Sequence, residues 1–223
     1  MVDLRRVLVI GAGGQAREVR WILEGLRAAG YPFQFQGFVV SDLNALGDRD
    51  SRDEVLGDLS FLRRNRAKFD ALALGIGTPA ARLKIAAELE PEFGPEWWPP
   101  LIHPSAIFDA KSCTIGHGAL ICPGVVATVN VSFGAQSMIN NGCTIGHETS
   151  VGRGVVVNPG ANLSGGVVIE DGVLIGTGAQ ILQYRRIGRK AVVGAGAVVT
   201  HDVAEGITVV GVPARPLSKR ETR

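Results

Sequence analysis

The chain contains one His-Glu dipeptide, His147-Glu148, inside "INNGCTIGHETSVG". An imidazole has an ordinary pKa of about 6.5 and exchanges protons at neutral pH. An adjacent carboxylate can fix its tautomer and stabilise the imidazolium. Such a pair suits removal of a proton from an amine or hydroxyl as it attacks a carbonyl, but it also suits two polar residues on a wet turn. A second cluster lies near the start. "GAGGQA", from Gly11 to Ala16, fits G-x-G-x-x-G/A directly after the apolar run "RRVLVI", the context that gives this fingerprint meaning. Its backbone amides and the helix N-terminus that follows are suited to hold a phosphate.

The surroundings of His147 are a repeat. Stepping by six from Ile115 to Val199 meets an apolar residue at all fifteen positions, with no insertion or deletion. Glycine often follows, as at Gly116, Gly146, Gly176 and Gly194, and four residues after the apolar position the side chain is usually small, as at Ala119, Cys143 and Ala161. A helix repeats at 3.6 and a strand at 2, so neither alone explains six. A hexapeptide period suits short strands joined by tight turns, three to a coil, stacked as a solenoid. The recurring aliphatic fills the core, the small residue fits the corner, and glycine permits the turn.

Three strands of six make an 18-residue coil, so residues i and i+18 stack about 4.8 Å apart. Gly165 then stacks on His147 and Gly166 on Glu148. The two glycines leave space beside the imidazole and offer unshielded N–H groups for an oxyanion hole, where one donor is worth about 3 kcal/mol. Asn140 stacks on Asn158, either as a structural amide ladder or as a substrate contact.

Residues 1–100 lack the six-fold period. "RRVLVIGAGGQAREVRWILEGLRAAG" reads as strand, glycine loop and amphipathic helix, "FQFQGFVVSD" as a second strand, and "FDALALGIGTPAARLKIAAEL" as a third strand with its helix. The β-α-β-α-β-α order implies a small parallel sheet. Asp42, at the end of the second strand, is placed to meet a ribose or sugar hydroxyl, and the Gly75–Gly77 segment lies on the same carboxyl edge, where ligands of open α/β sheets bind. The glycine loop has other uses: close packing of strand and helix, or a nicotinamide dinucleotide. About 95 residues supply only half the usual two-lobed dinucleotide fold, which favours a nucleotide or nucleotide-sugar diphosphate. "FGPEWWPPLIHPSAIF" reads as the joint between two domains, with Trp97 and Trp98 packing and "LIHPSA" leading into the first coil.

Composition excludes several classes. A net charge of +2 over 223 residues indicates no nucleic-acid or membrane-surface partner. The basic "FLRRNRAKFD" and "KRETR" segments read as solvated surface. No apolar run reaches the roughly 18 residues of a membrane span, and the short apolar N-terminal run passes straight into a glycine loop, unlike a signal peptide. Cys113, Cys122 and Cys143 lack CxxC spacing and read as small buried thiols of a cytoplasmic protein. Within the coils only His117 and His147 are available to a metal, on different columns, whereas a carbonic anhydrase-type centre needs three converging histidines. No metal is expected.

The whole chain resembles one family, the bacterial sugar acetyltransferases that modify nucleotide-linked amino sugars or sialic acids. The resemblance rests on "VIGAGGQARE", "GFVVSD", "ALGIGTPAARLKIA", "LIHPSAIF", "INNGCTIGHETSVG", "NPGANLSGG" and "VVGAGAVV…VVGVPAR". It implies a Rossmann-like nucleotide-sugar-binding domain over 1–100 and a left-handed parallel β-helix with C-terminal tail over 101–223. It also implies a homotrimer with active sites between neighbouring β-helices. His147 falls on the family's catalytic base and Glu148 on the neighbouring acid. Gly165, Thr177 and Ala195 fall where members contact acetyl-CoA, with Gly166 beside them. Gly11, Gly13, Gly14, Gln15, Asp42 and Gly77 fall on or near the nucleotide-sugar contacts. The chain departs from the family at Gln15 and Val156, where histidines are frequent.

The expected activity is direct transfer of acetyl from acetyl-CoA to a nucleotide-linked amino sugar, with His147 as base. Cys143 at an inward corner argues against an acyl-enzyme. His103 reads as structural, and His117 and His201 as exposed turn residues. The alternatives are O-acetylation of a free sugar such as sialic acid and a non-catalytic sugar-binding scaffold. Arg185, at a normally small position, is a candidate to face the charged cofactor.

Overall fold

The structure, a computed structural model, describes residues 4–217. The "KRETR" tail read as solvated surface falls outside the described residues, as do residues 1–3.

The N-terminal sheet is parallel, with strand order β3-β2-β1-β4. It comprises β1 (Arg5–Ile10), β2 (Phe33–Val40), β3 (Val55–Asp58) and β4 (Ala71–Leu74). Helices α1 (Gly14–Ala28), α2 (Leu59–Arg64) and α3 (Pro79–Phe93) cover it. The continuous apolar run of β1 belongs to a strand buried on both faces. Val7 and Val9 pack with Val19, Leu23 and Leu26 of α1, whereas Leu8 and Ile10 pack with Leu62, Ile85 and Leu89 of α2 and α3. The sequence pattern implies three strands in strict alternation with helices. The structure adds β3, reached from β2 through short 3₁₀ turns rather than a helix. Its four residues "VLGD" include a glycine and follow the charged "SRDE", so no apolar pattern announces them.

From Leu101 onward the chain winds as a left-handed parallel β-helix of two-residue strands. Three faces result. Face 1 carries Leu120–Ile121, Met138–Ile139, Val156–Val157, Leu174–Ile175 and Val192–Val193. Face 2 runs from Val126–Ala127 through Thr144–Ile145 and Asn162–Leu163 to Val198–Val199. Face 3 runs from Thr114–Ile115 through Ser150–Val151 to Arg186–Ile187. The 18-residue stacking is observed in pairs such as Met138↔Val156, Thr144↔Asn162 and Ser150↔Val168. The second residue of each pair points inward, and Ile139, Val157, Ile175 and Val193 are wholly buried.

The outward residues differ from face to face. Those of face 2 and face 3 include Thr144, Asn162, Ser132 and Ser150, which hydrogen-bond in columns. On face 1 the outward Leu120, Met138 and Val156 join the core beneath the N-terminal sheet. Leu101–Ile102 forms the first rung of that face, as expected of "LIHPSA". Thr208–Val210 closes its far end, with Arg215–Pro216 folded back antiparallel.

Helix α3 fastens the two parts. Leu83 packs against Gly154 and Gly172. The Glu90 carboxylate receives Gln136 Nε2 at 3.0 Å and Arg153 Nη2 at 2.5 Å, with His117 Nε2 at 3.1 Å. His117 is therefore half-buried and paired, not the exposed turn residue the sequence suggested, because its partner comes from a helix 27 residues earlier. Trp98 is fully buried.

Candidate active site

His147 lies on the solenoid edge between face 2 and face 3. Its neighbours are pinned on both sides: the Gly146 N–H donates to Leu163 O at 2.7 Å and the Glu148 N–H to Val129 O at 3.0 Å. The imidazole is half-exposed, and its Nδ1 stands 3.5 Å from Glu148 Oε2. That separation is an ion-pair contact rather than a tight hydrogen bond. Glu148 adopts φ +60°, in the left-handed region. Most corners carry glycine in this conformation, and an L-residue there costs about 1–2 kcal/mol. The acid is thus held beside the imidazole in a conformation that glycine would adopt more easily.

Gly165 stacks under the ring as the coil length requires. A methyl group there would fall 2.5 Å from both Cε1 and Nε2 of His147. The Gly165 N–H donates to no protein acceptor among the described residues. Gly166 is different. Its N–H donates to His147 O at 2.7 Å, so the expectation of two free donors reduces to one. The ladder that joins successive coils consumes the other. The ring of Tyr184 covers Gly166 from the next coil. Tyr184 has φ +57° and is 63% exposed. Sequence reasoning missed it, although an aromatic residue at a corner position otherwise given to glycine or a polar residue is a usable signal.

The other proposed cofactor residues occupy a different edge. Thr177 and Ala195 are exposed on the edge between face 1 and face 2, where Gly196 N–H donates to Thr177 O at 2.8 Å. Face 2 separates them from His147 within one chain. A shallow depression of about 240 Å³, lined by Thr144, Gly146, Asn162 and Ser164 among others, runs along face 2 to the His147 edge. Asn140 shares the edge of Thr177 but is 4% exposed, and its Nδ2 donates to Asn158 Oδ1 at 3.4 Å. Of its two readings, this geometry is that of the internal ladder. Val156 is wholly buried beneath the N-terminal sheet and presents no open surface.

Cys143 is buried with its thiol directed at Asn158 O, 3.2 Å away, and burial pushes it up to about 11. Arg185 donates from Nε to Gln183 O at 3.1 Å and keeps Nη1 3.8 Å from Asp202. His103 is structural in its contacts, stacked on Trp21 and bonded to Ser105 Oγ. His201 is exposed and bonds its neighbour Thr200.

At the carboxyl edge of the N-terminal sheet lies a cleft of about 630 Å³, lined by Gly11, Ala12, Asp42, Asp58, Lys84 and Glu88 among others. Asp42 Oδ1 accepts the Asn44 N–H at 2.9 Å, which fixes the carboxylate at the rim. Gly11 is required by the backbone: its φ is +115°, and a methyl group would meet Gly75 O at 2.6 Å. Gly13 is the N-cap of α1 and lends no side-chain cap, so the first-turn amides of Gly14 and Gln15 have no intrahelical acceptor. Gln15 Nε2 is buried without an acceptor. Gly77 lies against this side chain, 3.8 Å separating Gln15 Oε1 from a methyl group built on it. The glycine loop, Gln15 and Gly77 thus come together next to the cleft, which Gly11, Ala12 and Ile76 line directly. The arrangement offers several donors to an anion. Among the described residues no group of three or more His, Cys, Asp or Glu side chains is arranged to hold a metal ion.

No protein-family model matches the chain. A curated serine acetyltransferase from Bacillus licheniformis is 56% identical over 39 residues, which spans 18% of each protein. Solved structures match over nearly the whole length. PerB from Caulobacter crescentus, in complex with CoA and GDP-perosamine, is 28% identical with a TM-score of 0.82, covering 98% of this chain and 99% of that one. WeeI from Acinetobacter baumannii is 31% identical with a TM-score of 0.79, covering 95% and 99%. The acetyltransferase domain of PglB from Neisseria gonorrhoeae, in complex with acetyl coenzyme A, is 29% identical with a TM-score of 0.67, covering 96% and 100%.

Proposed function

The chain belongs to the bacterial sugar acetyltransferases of the hexapeptide-repeat, left-handed β-helix class, and from that premise we propose that it transfers the acetyl group of acetyl-CoA to the amine of a nucleotide-linked amino sugar. Residues 1–100 hold the nucleotide sugar, and residues 101–223 carry out the transfer. One observation carries the choice of acceptor: the anion-binding loop of Gly13, Gly14, Gln15 and Gly77 stands beside a cleft large enough for a nucleoside. A free sugar would leave both without a ligand. The likeness to an enzyme solved with GDP-perosamine supports the same reading.

In this mechanism the amine attacks the thioester carbonyl, His147 accepts the proton released as the new C–N bond forms, and CoA leaves as the thiolate, which takes a proton. Glu148 holds the Nδ1 side of the ring and stabilises the imidazolium. The free Gly165 N–H serves the developing oxyanion. The half-exposed imidazole over a bare glycine supports this assignment.

Three copies of the chain form the working unit. His147 and Gly165 occupy one solenoid edge and Thr177 and Ala195 another. A neighbouring copy laid along face 2 brings one edge of each together, with acetyl-CoA between them.

Mass-detected transfer from acetyl-CoA to a panel of nucleotide-linked amino sugars and free sialic acids tests the reading. Transfer to one nucleotide amino sugar, lost in His147→Ala, is expected. Transfer only to a free sugar would overturn it.

A further inference from the structure

Arg82, in the first turn of α3, is 0% exposed and forms no salt bridge among the described residues. Its guanidinium bonds mainly to carbonyls, with one long contact from Nη1 to Met138 Sδ at 3.9 Å. Nη1 donates to Leu74 O at 3.2 Å and to Ile76 O at 2.8 Å, Nε donates to Gln136 O at 3.0 Å, and Nη2 has no partner. Burial pushes the group down to about 10, which leaves it charged at neutral pH. A buried cation without a counter-charge is costly. The charge therefore calls for a role beyond packing.

The bond to Ile76 O supplies one. In a trans peptide the carbonyl and the following N–H point in opposite directions. With the Ile76 carbonyl turned towards Arg82, the Gly77 N–H points away from it. That N–H reaches no acceptor among the described residues, and Gly77 lies against Gln15, whose Nε2 also lacks one. Both donors stand next to the uncapped start of α1. A diphosphate offers only acceptors and carries negative charge, and it satisfies all of these groups together.

We propose that Arg82 is a positioning residue for the diphosphate of the nucleotide-linked substrate: it holds the Ile76–Gly77 peptide so that the Gly77 N–H faces the phosphate, and it keeps a positive charge behind that donor. The inference rests on the nucleotide-sugar reading above. The same guanidinium grips the backbone of Gln136, whose side chain is held by Glu90. The phosphate donor is thereby braced against the β-helix, not only against its own sheet.

The test is calorimetric binding of GDP, UDP and dTDP, each beside its nucleoside, to the intact protein and to Arg82→Met and Arg82→Lys. In the Met variant, diphosphate binding should weaken at least about tenfold while nucleoside binding changes less than about twofold. The KM for acetyl-CoA should stay unchanged, and Lys, which keeps the charge on an N–H-donating group, should recover most of the loss. An equal loss for nucleoside and diphosphate would assign Arg82 a purely structural role and overturn the proposal, as would no loss at all. Failure of the unaltered protein to bind any of the diphosphates would instead overturn the nucleotide-sugar reading, and the inference with it. Should Arg82→Met fail to fold by circular dichroism, Arg82→Gln replaces it in the comparison with Lys, and equal diphosphate affinities in those two would overturn the role of the charge.

Discussion

The imidazole of His147 rests on the backbone of Gly165, one coil further along, at a distance no larger residue would allow. Gly165 is not in a left-handed conformation, so Gly165→Ala adds a methyl group without backbone strain. The ring must move instead. A displacement of about 1 Å from productive geometry costs about 100-fold in rate. Steady-state kinetics should therefore show kcat lowered by that order, with the melting temperature nearly unchanged. Retained kcat would mean that the ring position is unimportant.

Glu148 sets stability against activity. Glu148→Gly relieves the left-handed strain at φ +60° and should stabilise the fold by about 0.5–1 kcal/mol, the gain being reduced by the greater freedom of glycine when unfolded. The same change removes the acid beside Nδ1 and should lower kcat by about 10- to 100-fold. Thermal unfolding and turnover on the same sample check both halves.

How far the sequence reveals this depends on whether a contact is periodic. The stacking of Gly165 on His147 follows from counting 18 residues, as does the pairing of Asn140 with Asn158. The bond from the Gly166 N–H to His147 O is also periodic, but it belongs to the backbone ladder, which side-chain spacing does not reveal. Contacts across the two parts are not periodic. Neither the pairing of His117 with Glu90 nor the burial of Arg82 against Gln136 has a local signal, because each depends on where α3 lands on the solenoid. Strand β3 escaped because four residues containing a glycine carry too little pattern to detect.

Glu90 predicts an acid-sensitive junction. Burial alone would raise its carboxyl, but hydrogen bonds from Arg153, Gln136 and His117 outweigh that and hold it below the ordinary carboxylate value. A depressed folded value means that the unfolded chain binds the proton more readily. The contribution is thus full above the ordinary value of about 4.5 and is lost as pH falls through the lower folded value. Between about pH 6 and pH 3, Glu90→Gln should flatten part of the fall in melting temperature. An unchanged slope would remove Glu90 from the acid response.

The buried thiols should be inert. Burial pushes Cys122 up to about 12 and Cys143 to about 11, so near pH 8 the reactive thiolate is scarce. Iodoacetamide under native conditions should label Cys113, which is partly exposed, and leave the other two until denaturant is added. Cys143→Ala should keep turnover within about threefold, since the proposed direct transfer forms no covalent intermediate on it. A large loss would reopen the acyl-enzyme route.

The uninterrupted coil length makes the solenoid a ruler. Each 18-residue coil advances the chain by one strand spacing, about 4.8 Å, and returns every residue type to the same edge. Distances along an edge therefore change only in whole steps. Gene-level removal or addition of one coil between Gly166 and Ala195 would leave each edge facing as before while shifting their separation by a single step. Exchanging residues within a column and adding or deleting entire coils are accordingly two changes that leave every edge facing as before. An insertion within a strand that is not a multiple of six would turn the following inward aliphatics out to solvent, whereas one of six or twelve would keep them inward and move each column to another edge.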